Sequence, residues 1–286
     1  MTDSKQAGPF DEPAGRVAVV TGGASGIGKS IAAAFRARGM KVVIADIEQG
    51  ALDAAATELG AVGIRTDVSD AACVQALADA VKAKFGGVDV LVNNAGVGPK
   101  GNLADVTLDD WRWLLDVNLM GVVHGLNAFL PMLRANPRGS HIVNTASLGG
   151  FIAGPGVGIY SATKAAVVAL SETLQWEMMM GGEKVGVTIL APGPVKTGIY
   201  SGSRNRPANR ADTGMADVDV DTDPLFVGAD WVEPEVAGEV VMAAIQRGAL
   251  YATTHPAMAD IVEMRMINVV NGLRVQFVDR DVPAAP

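Results

Sequence analysis

Tyr160 and Lys164 stand four residues apart in a stretch, Ile159 to Met179, whose apolar spacing predicts a single helix. That spacing stacks both side chains on one face. A phenol is a poor base at its ordinary pKa of about 10. A neighbouring ammonium favours the phenolate and lowers that value, so the pair is a sensible proton acceptor. Alone it says little, because Tyr and Lys fall four apart often by chance. Ser147 precedes Tyr160 by 13 residues and ends a strand-like run, where α/β sheets place ligands. Its hydroxyl suits a hydrogen bond to a reacting oxygen, although a helix or loop cap would also explain it. Asn118 interrupts the helical pattern Leu108 to Leu133, where Asn is a poor helix former. A water held on its amide, relaying protons to Lys164, would give it a reason.

A second constellation lies at the other end of the chain. Thr21-Gly22-Gly23-Ala24-Ser25-Gly26-Ile27-Gly28 directly follows the apolar run Arg16 to Thr21 and opens a helix. Gly22 allows the tight turn, Gly26 lets backbone N–H groups approach a pyrophosphate, and Gly28 permits close helix–strand packing. The helix N-terminus attracts the anion. Ser25 and Ile27 complete the expected cradle. A Gly-rich turn with no ligand is the alternative, and the strand-before, helix-after context weighs against it. Asp46 closes the run Lys41 to Asp46, 18 residues past Gly28, near the spacing of a carboxylate that bonds the adenosine ribose. Such a carboxylate would repel a 2′-phosphate. Neither Ser25 nor Ile47 is basic, so the expected cofactor is NAD rather than NADP. A strand-end turn residue is the duller reading of Asp46. An oxidised nicotinamide is positive and would favour a Tyr160 phenolate as Lys164 does.

The elements that must position these residues alternate. Strand-like runs cover residues 16–21, 41–46, 61–67, 88–96, 141–147, 185–193 and 249–254, with helical patterns between them. Alternation implies parallel strands with right-handed crossovers. The expected fold is α/β: one doubly wound Rossmann-type domain over residues 16–286 with a mostly parallel seven-stranded sheet. Residues 1–15 read as a flexible leader rich in Pro, Gly and charge. The polar stretch from about 198 to 233, with Pro, Gly and many Asp, is long for a loop in a compact domain and is expected to be a substrate lid.

The chain has 286 residues, 49% of them hydrophobic, enough for a sizeable core. Its formal net charge of -8 argues against nucleic acid or an anionic membrane as partner. One cysteine, Cys73, excludes an intrachain disulfide and fits a reducing compartment. No secretory signal is visible and no run approaches a membrane helix, so a cytoplasmic location is expected.

Taken together, Thr21 to Gly28, Asp67-Val68, Asn93-Asn94-Ala95-Gly96, Asn118, Ser147, Tyr160 to Lys164, and Pro192-Gly193 with Thr197 resemble the short-chain dehydrogenase/reductase family of about 250 residues. The similarity runs from about Gly15 to Thr254. It implies Asn118, Ser147, Tyr160 and Lys164 as a catalytic tetrad. It implies Gly22, Ser25, Gly26, Ile27, Gly28, Asp46, Asp67, Val68, Asn94, Ala95, Gly96, Tyr160, Lys164, Pro192, Gly193, Val195 and Thr197 as cofactor contacts. Asp67 would meet the adenine, Asn93 to Gly96 would steady the sheet, and Thr197 would meet the carboxamide. It further implies a homo-oligomer, dimer or tetramer, pairing the helices that carry Trp111, Trp113, Leu170 and Trp176. The expected reaction interconverts a secondary alcohol and a ketone. The pocket residues implied by the resemblance are Leu148 to Phe151, Val97 to Pro99, Val195, Ile199 and Tyr200. They are mostly apolar and suit a hydrophobic or aromatic substrate. Ser203 to Ala208 also looks similar to dehydrogenases that oxidise benzylic alcohols of aryl ethers.

Other residues read more plainly. His124 fits a packed or solvated helix position, and His124, His141 and His255 lack metal-ligand spacing. Met178 to Met180 suit helix-end packing, and Arg204, Arg206 and Arg210 suit pairing with the aspartates of the same loop. The alternative to an enzyme is a catalytically silent NAD-sensing or scaffolding protein of the same fold. The complete tetrad favours the enzyme.

Overall fold

The computed structural model describes Phe10 and residues 12–275. Seven strands form one sheet: β1 (Val17–Thr21), β2 (Lys41–Asp46), β3 (Val62–Arg65), β4 (Val90–Asn93), β5 (Ser140–Thr145), β6 (Val185–Leu190) and β7 (Tyr251–Ala252). Their order is β3-β2-β1-β4-β5-β6-β7, and every neighbouring pair is parallel. The expected doubly wound sheet is therefore present and parallel throughout. Winding reverses between β1 and β4, the position where such sheets bind ligands.

Successive side chains on a strand point to opposite faces, and these strands bury both. On β1, Val19 joins one core with Leu91, Ile142, Phe129 and Val167, while Ala18 and Val20 join the other with Ile31, Phe35, Ile44 and Val241. The first core lies under α3 (Ala71–Phe85), α5 (Gly121–Arg134) and α6 (Gly158–Met180). The second lies under α1 (Gly26–Ala37), α2 (Gln49–Leu59) and α7 (Glu235–Arg247). Burial on both faces explains why the strands read as continuous apolar runs rather than alternating ones.

Residues 108–134 contain α4 (Leu108–Leu115), a π-helical turn (Asp116–Met120) and α5. The most apolar 18-residue window of this stretch has a mean hydropathy of 1.3, long and apolar enough by composition alone to cross a membrane, a test that the core helix of a soluble protein also passes. Much of its apolar surface is spent inside the protein: Trp113, Leu114, Val122, Phe129 and Leu133 are buried. A capping box opens α4, with Thr107 and Asp110 exchanging side chain–backbone bonds.

Of the leader expected over residues 1–15, residues 1–9 and 11 lie outside the described residues. Phe10 is 1% exposed, packs edge-on to His141 at 5.9 Å and lies under the Arg16 guanidinium at 4.4 Å. Burial and the bond to Thr188 account for His141, whose pKa is pulled down to about 4. The expected single domain over 16–286 divides into two compact units, one through Thr254 and one from His255. The second contains α8 (Ala259–Leu273), a helix not anticipated from sequence, none of whose residues is buried.

Candidate active site

The turn after β1 is built by close approach. Gly22 has φ +63°, and a Cβ there would lie 2.8 Å from the Ala95 Cα. A Cβ on Gly28 would overlap the Gly22 carbonyl oxygen, so α1 packs against the turn only with Gly at 28. Ser25 is the N-cap of α1 yet makes no side-chain capping bond, and the first turn holds no acidic residue. The leading N–H groups thus remain open to an anion, which fits a dinucleotide pyrophosphate. Thr197 closes the cradle from the far side: its methyl lies where a Gly26 Cβ would project.

Asn94 ties the cradle to the sheet. Its Nδ2 donates to the carbonyls of Thr21 (3.0 Å) and Gly22 (3.3 Å), and its Oδ1 accepts from Thr145 (3.3 Å). Asn93 reaches sideways to Asn144 at 2.9 Å. The Asp46 carboxylate accepts from the N–H groups of Ala24 and Glu48, each at 3.1 Å, and stays partly exposed at the end of β2. Asp67 accepts from the Ser69 N–H and hydroxyl. The Val68 carbonyl lies 2.9 Å from His124 Nδ1. His124, read from sequence as mere packing, therefore fixes this backbone. Pro192 accepts from Leu148 N–H, Gly193 N–H donates to Thr254, and Val195 pairs with Val232.

Tyr160 and Lys164 enter from the first turns of α6. Glycines flank the Tyr160 ring: a Cβ on Gly98 or Gly149 would come within 3.5 or 3.4 Å of its edges. Ser147 hydrogen-bonds Tyr160, and its Oγ also accepts from Gly149 N–H at 3.0 Å. It is both a cap and a neighbour of the phenol. Lys164 is buried; its Nζ donates to the Thr145 carbonyl at 2.8 Å and lies 5.7 Å from the Tyr160 ring centroid. One acceptor leaves a buried ammonium with spare donors, which fits ribose hydroxyls.

Asn118 is fully buried in the π turn. Its Oδ1 accepts from Val97 N–H and its Nδ2 donates to Val97 C=O, both at 2.9 Å, with a longer bond to Thr163. Thr163 in turn donates to the Tyr160 carbonyl at 2.7 Å. The amide thus ties the π turn to the segment after β4 and to α6. The i→i+5 turn, of a kind frequent at functional sites, is what lets Asn stand mid-helix.

The electrostatics differ from the expectation in one respect. Burial pushes the Tyr160 phenol up, with the Ser147 hydrogen bond opposing. Burial also pulls Lys164 down, to about 8.

The three loop arginines do pair, though not with the loop's own aspartates. Arg204 bonds Glu48, Arg206 bonds Asp110 and Arg210 bonds Asp116, each at 2.6 Å. Charge complementarity across the fold prevailed over proximity in sequence. Among the described residues no His, Cys, Asp or Glu cluster is arranged to hold a metal.

The short chain dehydrogenase family profile matches residues 16–208. A C alpha-dehydrogenase of Sphingobium sp. is 34% identical, over 90% of this chain and 86% of its own. A 1-deoxy-11-beta-hydroxypentalenate dehydrogenase of Streptomyces avermitilis is 40% identical, over 71% of this chain and 76% of its own. A short-chain dehydrogenase/reductase of Burkholderia phymatum, solved in complex with NAD, superimposes with a TM-score of 0.84 at 38% identity, covering 94% of this chain and 98% of that one. With the glycine turn, Ser147, Tyr160 and Lys164 gathered at one end of a parallel sheet, this chain is a member of the short-chain dehydrogenase/reductase family.

Proposed function

We propose that the protein is an NAD-dependent dehydrogenase that interconverts a secondary alcohol and a ketone, with a hydrophobic or aromatic substrate. The observation that carries this is the meeting of Ser147, Tyr160 and Lys164 at the end of β5, beside the open N-terminus of α1. NAD, when bound, supplies the hydride acceptor. Gly22, Ser25, Gly26, Ile27 and Gly28 would hold its pyrophosphate, Asp46 its adenosine ribose, and Asp67 and Val68 its adenine. Asn94, Ala95, Gly96 and Lys164 would hold the nicotinamide ribose, and Pro192, Gly193, Val195 and Thr197 the carboxamide side. Ser147 hydrogen-bonds the substrate oxygen. Tyr160 takes the hydroxyl proton during oxidation and returns it during reduction. Lys164 holds the positive charge that makes the phenolate accessible. A silent NAD-binding protein has no chemical use for Tyr160.

Cofactor choice tests the reading at Asp46. NAD is expected to exceed NADP in kcat/KM by at least about tenfold, or 1.4 kcal/mol. Asp46→Ala narrows that gap. Equal efficiency with both cofactors in the native protein would remove Asp46 from the account.

The direction of pH dependence also follows. Oxidation needs the Tyr160 phenolate, and burial holds the group protonated at neutrality. Oxidation therefore gains rate as pH rises from neutral, whereas ketone reduction, which needs the phenol, does not. Above about 8 the Lys164 ammonium is lost, and KM for NAD rises with it. Steady-state profiles of both directions check this; identical profiles would count against Tyr160 as the group that changes protonation.

Assembly is read as homo-oligomeric. Trp113 is buried within the protomer and so is no partner contact, but Trp176 is 64% exposed beside Met179 and Met180 at the end of α6. An exposed apolar cluster of this kind marks an interaction surface. Light scattering at micromolar concentration is expected to give a dimer or larger, and a monomer would contradict this.

A further inference from the structure

Tyr200, Phe226 and Trp231 leave three separate points of the segment 198–233 and meet. Their ring centroids lie 4.6 Å (Tyr200–Phe226), 6.0 Å (Tyr200–Trp231) and 5.8 Å (Phe226–Trp231) apart, at tilted or edge-on angles. Each ring is held by its own backbone. Gly98 N–H donates to the Ile199 carbonyl at 3.2 Å, and Gly98 also abuts Tyr160, so Tyr200 follows a residue seated beside the Tyr160 ring. Phe226 N–H donates to the Asp223 carbonyl, and the Asp223 carboxylate is gripped by Lys100 at 2.7 Å. Trp231 precedes Val232, which pairs with Val195.

Tyr200 and Trp231 also line a cavity of 580 Å³ with Gly26, Thr197, Gly198 and Val220. That is a small-molecule volume. Its Gly26 and Thr197 end belongs to the dinucleotide cradle, so the aromatic end lies beyond it. Three clustered rings would by themselves be a loop's miniature core. The Tyr200 hydroxyl argues for more, because it finds no hydrogen-bond acceptor among the described residues. Tyr200 is half-buried, so its hydroxyl is available to a ligand acceptor. Burial and the nearby Tyr160 charge both push the Tyr200 phenol up, so it remains a donor throughout the working range.

We propose that Tyr200 and Trp231, braced from behind by the buried Phe226, form an aromatic box that receives an aryl group on the carbinol carbon, with the Tyr200 hydroxyl donating to an oxygen substituent on that ring. This rests on the dehydrogenase reading above and makes these residues determinants of substrate choice. Offset and edge-on ring contacts stabilise aryl binding beyond simple burial.

The test is a binding titration that needs no turnover. The intact protein saturated with NADH is titrated with para-methoxyacetophenone, acetophenone and butanone, by calorimetry. The two aryl ketones are expected to bind at least about tenfold more tightly than butanone. Tyr200→Phe, which keeps the ring, should weaken the methoxy ketone about five- to tenfold and leave acetophenone within about twofold. Trp231→Leu should reduce the aryl preference. Equal loss for all three ketones, or no effect of Tyr200→Phe on the methoxy ketone, would overturn the box. A parallel turnover assay separates the two claims. Oxidation of alkyl carbinols without aryl preference overturns the box and leaves the dehydrogenase standing. Selective aryl-ketone binding without any turnover supports the box and overturns the dehydrogenase.

Discussion

Replacing Tyr160 by Phe is expected to lower kcat by at least about 10²- to 10⁴-fold, the usual contribution of a general acid/base, while NAD binding and the fold change little. The expectation is this selective because the geometry is. The Tyr160 hydroxyl is the only part removed, and its structural partner there is Ser147, which keeps its bond to Gly149 N–H. The ring, seated between Gly98 and Gly149, stays. Lys164→Met should behave differently. It removes the bond to the Thr145 carbonyl as well as the charge, so both KM for NAD and kcat should suffer. A Phe variant with native turnover would show that the proton goes elsewhere.

Asp110→Ala, which removes the α4 partner of the segment 198–233, is expected to destabilise the protein by about 3–5 kcal/mol, the cost of breaking a buried ion pair by removing one partner. Asp110 is fully buried and accepts from Thr107 N–H (2.8 Å), Gly214 N–H (3.0 Å), Thr213 Oγ1 (2.7 Å) and Arg206 Nη1 (2.6 Å). Arg206 is itself nearly buried over the Trp113 ring at 5.1 Å, so losing Asp110 strands a cation there. Burial alone would raise the Asp110 pKa, but these donors outweigh it and hold the value at about 2, below its ordinary 3.8. Because the folded value is depressed, the stabilisation is present above about 4 and is lost as pH falls toward about 2. Denaturant titration at neutral and acid pH measures this. Arg206→Met on the Asp110→Ala background should recover part of the loss, since it removes the stranded charge. Asp110→Ala should also speed proteolysis near 204–210, because Asp110 holds Arg206, Thr213 and Gly214 of that segment against α4. A loss under about 1 kcal/mol would mean the pair is dispensable.

What the sequence made legible follows from locality. The glycine turn, Asp46, Ser147 and the Tyr160–Lys164 pair were readable because each depends on a strand end or one helical turn. The alternation of strands and helices then forces those ends to the same edge of the sheet. The partners of Asn118 were not readable. A poor helix former marks the position, but only the π turn, a tertiary accommodation, brings the amide to Val97. Thr145 was missed because its contribution is a backbone carbonyl, which leaves no mark on residue type. The arginines of 204–210 found Glu48, Asp110 and Asp116 across the fold, pairings that no local pattern encodes. Phe10 is invisible within a polar leader because one aromatic has no periodicity to reveal its burial. The upward push on the Tyr160 phenol is unreadable for a related reason: it comes from burial, which no spacing in the sequence shows.

The central claim is that Tyr160 serves NAD-dependent oxidation of a secondary carbinol. It is tested most directly by mixing the purified protein with NAD and a panel of alkyl and aryl secondary alcohols and following NADH formation, with Tyr160→Phe run in parallel. The account predicts NADH formation by the native protein, an at least about tenfold smaller efficiency with NADP, and turnover reduced at least about 10²-fold in the Phe variant. Native protein that binds NAD yet oxidises no alcohol of the panel and reduces none of the corresponding ketones would contradict it.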